Sequence, residues 1–261
     1  METHPPHIHH STGKKVSHYF YEFLMLFMAV FSGFLAENQR EHFIEEKRAS
    51  EYAKSLLSDL VSDTFEISAA VHQANFLILS IDSLTSMSFN INSSNEVPAS
   101  FYYYSRCVSR AFTVDWTKST IYQLVQSGNL RYFKNKKLVE LVNTYFFFQD
   151  VIKIKNESDV LRRDKICEVQ NCILQSRYYS KFSELDIVEE EYGHQPSPII
   201  DTLLTKIFPL QTEGRKRMDE YINQLSDRKS SMRRNIYDFY PQAYEVNLEI
   251  IKMLKTEYQL E

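Results

Sequence analysis

The feature with the most chemistry in it is an acid inside an apolar run. From Tyr19 to Ala36 the chain has eighteen residues, no proline and one charge, Glu22. An ionisable group in such a run is costly to bury and marks a proton or ion site or a contact with a partner. On a helix Glu22 shares a face with Leu26, Ala29, Gly33 and Ala36, at gaps of four, three, four and three. The Ala29-xxx-Gly33 pair on that face is a small-xxx-small motif, which lets two helix backbones approach closely. Three readings stay open for Glu22: a helix-association face with its own acid, a proton-coupled group, or a side chain that reaches back to interfacial water or to Lys15.

Other clusters are less specific. Asp59 and Asp63 lie four apart, with Glu66 three further on, a spacing that can gather carboxylates for metal or acid work. No Glu-x-x-His accompanies them and His72 falls off that face, so a solvated or hinge-facing acidic stripe is the expectation. His4, His7, His9 and His10 form an imidazole-rich leader of the kind that can hold a metal, but no cysteine completes a site and a polar tail is the simpler reading. Cys107, Cys167 and Cys172 lack metal-type spacing, and five residues along one helix set the last two about 140° apart. All three read as semi-buried thiols. The five glycines have neither P-loop nor dinucleotide spacing, and no HExxH or Gly-x-Ser-x-Gly occurs. The expectation is a non-catalytic protein with no cofactor and no bound metal. A net charge of −4 argues against a nucleic-acid partner.

The elements that position these residues are helices. At ~1.5 Å per residue, Val16 to Ala36 is long enough to cross a hydrocarbon core of ~30 Å, with Tyr19 and Tyr21 suited to the interface. We therefore expect a disordered leader over 1–15, a transmembrane helix over 16–36 and an extramembrane α-helical domain over 37–261. Lys14 and Lys15 precede the span and Arg40, Lys47 and Arg48 follow it, so the basic-residue rule leaves orientation undecided. The short leader with paired lysines resembles a signal anchor, which places the chain once across the cytoplasmic (inner) membrane with its domain in the periplasm.

Past Ala36 the helix continues. Apolar residues at Ala53, Leu56, Leu60, Ile67, Val71, Ala74, Ile78 and Ile81 are spaced by three, four or seven, and a second stripe runs through Leu57, Val61, Phe65 and Leu77. This helix is expected to end near Ser88, before a loop over 89–98. A short aromatic helix follows, then one from Asp115 to Gln126 ended by a left-handed Gly128. One long helix, or two with a bend, covers Lys134 to about Phe182. A second hinge loop is expected over 189–198, then helices near 199–208, 213–238 and 242–258, with Pro209 and Pro241 at boundaries. No alternating strand pair is visible, so the fold class is all-α: an N-terminal span continuing into a long helix, followed by a helical bundle. The runs Tyr102–Tyr104 and Phe146–Phe148 either meet a partner or are covered within the domain. The helix at 213–238, with Arg215, Lys216, Arg217, Arg228, Lys229, Arg233 and Arg234, is a basic amphipathic segment.

Two stretches resemble a family of single-span proteins common in Bacteroidetes. The first is the span, with Glu22 one turn in, Ala29 and Gly33 within, and Glu37-Asn38 at the exit, although Tyr21 and Glu37 depart from the family's Gly and Asn. The second is Ile121-Tyr122-Gln123-Leu124 with Ser127-Gly128-Asn129-Leu130, Asn135 and Leu138; the closing Leu254–Tyr258 is also similar. The resemblance implies an architecture, one span plus a helical domain, and no activity. The expected function is a membrane-anchored interaction, scaffold or signal-transmitting protein, homo-oligomeric or bound to a partner membrane protein. The alternative is a subunit of an ion- or proton-coupled complex that uses Glu22.

Overall fold

The computed structural model describes residues 12–91, 95–111, 114–182 and 203–260, with side chains from residue 16 onward. The leader up to residue 11, the loop expected at 189–198 and the start of the expected 199–208 helix lie outside the described residues. The chain divides into two units, Met1–Glu51 and Tyr52–Glu261. Helix α1 is assigned over Thr12–Ser88, so the last four positions of the expected leader are helical and its far end falls where the apolar seam stops.

In the first unit every described residue belongs to α1. The residues from Val16 to Leu35 are exposed along their whole length, Met25, Leu26 and Val30 by about two-thirds. This is the one helix among the described residues that is long and apolar enough to cross a membrane.

In the second unit the fold is helical. From Tyr52 onward α1 buries Ala53, Leu56, Leu60, Ile67, Ala70, Ala74, Leu77, Ile81 and Leu84, at gaps of three and four apart from one gap of seven. The second expected stripe holds only at its ends: Leu57 and Leu77 are buried, whereas Val61 and Phe65 are exposed. After α1 come α2 (Ala99–Val108), α3 (Ser119–Gln126) and α4 (Lys136–Ile173). The one-turn α5 (Ser176–Tyr179) follows, then α6 (Met218–Arg234) and α7 (Tyr240–Tyr258). Helix α4 packs against both α6 and α7. A core gathers Leu77, Ile81 and Leu84 of α1 with Phe101, Tyr102 and Tyr103 of α2, Ile166 and Ile173 of α4, and Tyr221 and Leu225 of α6.

Three expectations are corrected. First, a strand pair is present: β1 (Glu96–Pro98) lies antiparallel to β2 (Ile207–Pro209), with Val97 opposite Phe208. Both central side chains point into the core while the flanking residues face out. Each strand is three residues long and ends in a proline, which has no ladder N–H to give; alternation over three residues cannot be read. Residues 207–209 are thus not helical.

Second, α4 stops at Ile173. Leu174 turns extended, at φ −94° and ψ 143°, and pairs with Leu210. The side-chain amide of Gln211 donates to the carbonyls of Asn171 (2.7 Å) and Leu174 (2.8 Å), and its backbone N–H donates to Ile173 (2.8 Å). A distant segment thus satisfies carbonyls that every helix C-terminus leaves open. The approach is close: a Cβ on Gly214 would lie 2.9 Å from the Ile173 carbonyl oxygen.

Third, α3 begins at Ser119, not Asp115: residues 114–118 have no regular secondary structure, and the backbone N–H of Thr117 is given to Asp63 of α1. Pro241 marks a helix boundary, as expected. It sits in the first turn of α7, directly after a π-helical turn, Asn235–Phe239, that follows α6. A wider turn accommodates a residue that lacks an N–H and whose ring crowds the preceding turn. Gly128 is left-handed as expected, at φ 72°. The Asn135 side chain caps α4 by accepting from the N–H groups of Lys137 (3.1 Å) and Leu138 (3.4 Å).

Candidate functional site

The face singled out in the candidate span is geometrically simple. Glu22, Leu26, Ala29, Gly33 and Ala36 all lie on α1 and are all exposed. Apart from the adjoining residues and the helix's own backbone, no described atom lies within 4 Å of a Cβ placed on Gly33, so the face has room for a second backbone. Glu22 carries its own neighbour: Oε1 is 3.2 Å from Nε2 of His18, one turn earlier. Phe23, Phe27 and Phe31 stack on one another at 6.2 and 5.8 Å. At 100° per residue this ladder is centred about 140° away from the small-residue face. The candidate span therefore presents a bulky aromatic side and a smooth side.

Of the acidic stripe of α1, Asp63 is buried while Asp59 and Glu66 are half-buried. Asp63 is 1% exposed and serves as a hub. Its Oδ1 accepts from the backbone N–H of Thr117 (2.9 Å), and its Oδ2 accepts from the Tyr145 hydroxyl (2.8 Å) and the Gln149 amide (3.0 Å). Asn247 of α7 donates to the Tyr145 oxygen (3.1 Å) and to the Leu60 carbonyl (3.0 Å), so one network ties α1, α4, α7 and the 114–118 segment together. Burial pushes the Asp63 carboxyl above its usual range, opposed by the donors around it, and burial beside Asp63 raises the Tyr145 phenol. Asp59 accepts from the backbone N–H of Thr120 (3.2 Å) and the Ser119 hydroxyl (3.4 Å). It thus caps α3 from another helix, where the helix dipole favours a carboxylate. Glu66 joins neither contact. Asp59 and Asp63 thus hold the 117–120 stretch in place, and among the described residues no group of acids is placed to hold an ion.

A second buried charge is one of the cations of the basic amphipathic segment expected at 213–238. Arg228 is fully buried in α6 and forms a bidentate pair with Asp159 of α4, Nε to Oδ1 at 2.9 Å and Nη2 to Oδ2 at 2.7 Å. Its remaining donors reach the carbonyls of Val108, the last residue of α2, and of Arg110 just beyond it. Lys229 pairs with Asp82 of α1, Arg217 with Glu220 and Lys216 with Glu213. Much of the expected basic face is therefore engaged inside the domain. The signal for Arg228 was available: Tyr221, Leu225, Arg228 and Met232 follow a four-three-four spacing, and all four are buried.

The aromatic runs are largely covered. Tyr102 and Tyr103 are buried, Tyr104 is half-buried, and the Tyr102 hydroxyl donates to the Pro209 carbonyl at 2.6 Å. Phe147 alone of its run is exposed. All three cysteines are free thiols. Among the described residues no group of three or more His, Cys, Asp and Glu side chains is placed to hold a metal ion. The histidines of the leader lie outside the described residues. No protein-family model matches the chain, and no curated protein or solved structure matches it either.

Proposed function

We propose that the chain is a non-catalytic, membrane-anchored helical interaction protein that associates with a second copy through its span. The observation that carries this reading is the two-sided apolar helix: an open Ala29/Gly33 face on one side and the Phe23–Phe27–Phe31 ladder on the other. Lipid tails are as apolar as these side chains, so the association of spans depends on close backbone packing, which small residues permit. The domain beyond the span is the scaffold or signal-transmitting part, in the cytoplasmic membrane with a periplasmic domain. The test is the mass of the extracted full chain by light scattering after size exclusion, for wild type and Gly33→Leu. Gly33 has open space around it within one chain, so leucine there disturbs a partner and not the fold. An oligomer that falls to monomer supports the reading; two monomers sink it.

One observation favours a second reading, in which the chain is a subunit of an ion- or proton-coupled complex. Glu22 and His18 form a pair of titratable groups at the start of the span, the arrangement a proton relay needs. Glu22→Gln separates the two. A scaffold still assembles with the variant, whereas a proton path loses transport while the assembly stays intact.

A further inference from the structure

Between α4 and α6 lies a cleft of about 180 Å³, below the ~300–1,000 Å³ of pockets that enclose drug-sized ligands. Its lining is unusual for its charge. Lys155 and Arg162 project from α4, and Arg234 closes the other side from the end of α6; the only carboxylate in the lining is Asp227. Three cations against one acid leave an excess of two positive charges. Asp227 is also committed, since its Oδ2 accepts from Arg162 Nε at 2.8 Å. Lys155 and Arg234 have no acid partner among the described residues; the Lys155 ammonium lies 5.4 Å over the Phe239 ring.

The neutral groups in the lining are hydrogen-bonding ones. Ser158 and Ser230 send their hydroxyl protons to the carbonyls four residues back and keep oxygen lone pairs, while Ser231 stands beside them. The remaining lining residue is Asn235, 2% exposed, whose amide nitrogen is buried with no acceptor. An unmet buried donor costs ~1–3 kcal/mol, and here it belongs to a residue that lines a small cationic cleft. Donors come from two helices on opposite sides, which suits a tetrahedral anion better than a planar carboxylate, and the charge excess matches a dianion.

We propose that this cleft binds a phosphate group, either inorganic phosphate or the phosphomonoester headgroup of a lipid. Arg234 and Lys155 supply free charge, Arg162 is held in place by Asp227, and Asn235 supplies a buried amide donor. The site is independent of the span and of any self-association.

The test uses the full chain in phosphatidylcholine nanodiscs. Thermal unfolding and calorimetric titration are recorded with sodium phosphate, and with sodium chloride at matched ionic strength. Phosphate should raise the unfolding temperature through binding to the folded state alone, and chloride should not. Arg234→Gln and Lys155→Gln should each weaken phosphate binding about tenfold or more, the loss of one charge-assisted hydrogen bond. Both residues are surface cations without acid partners, so the variants fold. Arg233→Gln removes the adjacent charge, which lies 5.8 Å over the Tyr237 ring and outside the cleft, and should bind as wild type. A stabilisation that appears only in nanodiscs containing phosphatidic acid, with the same dependence on the variants, assigns the site to a lipid headgroup. No stabilisation from either source overturns the proposal, as does an equal loss in Arg233→Gln, which would reduce the effect to net charge.

Discussion

Replacing Arg228 by methionine should be among the most damaging single changes in the domain. The guanidinium is fully buried, and the Asp159 side chain opposite it is 2% exposed. Methionine fills a similar volume but leaves a buried carboxylate without its cation and the Val108 and Arg110 carbonyls without their donors. Breaking a buried pair from one side costs ~3–5 kcal/mol, against a total stability of ~5–15 kcal/mol for a domain. In a domain of this size each kcal/mol moves the unfolding midpoint by ~2–4 °C, so a loss of roughly 6–20 °C is expected. Replacing both partners, Arg228→Met with Asp159→Leu, removes the stranded charge. That double variant should recover more than half of the loss, since apolar substitution of a whole buried pair is often neutral or better. What it cannot restore are the two carbonyls, at about 1–3 kcal/mol for an unmet buried group. The assay is urea unfolding of the detergent-solubilised full chain, followed by the single tryptophan. Trp116 is 7% exposed and packs edge-on to Tyr145 at 6.1 Å, so it reports on the interior of the second unit. Arg228→Met within about 1 kcal/mol of wild type, or a double variant no better than the single, would refute this account of the pair.

Further consequences follow from the other sites. Asp63 has a folded pKa raised above its ordinary value of 3.8, so the folded state holds that proton more tightly than the unfolded chain. Stability relative to Asp63→Asn is therefore greatest below about pH 3.8, falls as pH rises through the raised value, and is flat above it; paired urea titrations across that range check it, and a wild-type advantage that grows with pH contradicts it. Gly214→Ala should destabilise by about 1–3 kcal/mol, because its Cβ would meet the Ile173 backbone at 2.9 Å, and the change should appear in the same unfolding curves. Gly128→Ala, at φ 72° in open space, should cost about 1–2 kcal/mol through backbone strain alone; a stability equal to wild type would mean that the turn relaxes.

Much of the helical framework was legible because its signals are local. The α1 seam from Ala53 to Ile81, the break after Ser88 and the Gly128 turn all depend on residues within one or two turns of each other. The errors fall where a distant segment intervenes. Gln211 and Leu210 end α4 nine residues before its pattern runs out, and nothing near Ile173 announces them. The β1–β2 pair joins residues more than a hundred positions apart with no turn between them.

The buried charges show the same division. Asp63 occupies the gap of seven in the α1 seam, Asp159 falls between Ile152 and Ile166 on the buried side of α4, and Arg228 sits between Leu225 and Met232. Their positions are those of core residues and their chemistry is that of the surface. Chemistry prevailed in reading the sequence because an unpaired charge cannot be buried at bearable cost.

Periodicity and composition by themselves determined an all-α chain, an exposed apolar stretch long enough to cross a membrane, and the residues that share its smooth face. Those properties are set by geometry along a single helix. Tertiary structure alone decided that Asp63 organises a loop, that Arg228 belongs to the core, and that Lys155, Arg162, Arg234 and Asn235 meet around one cleft. Each of these depends on which donor or counter-charge another helix brings within about 3 Å, and the distance over which a hydrogen bond acts is far shorter than any regularity a sequence can display.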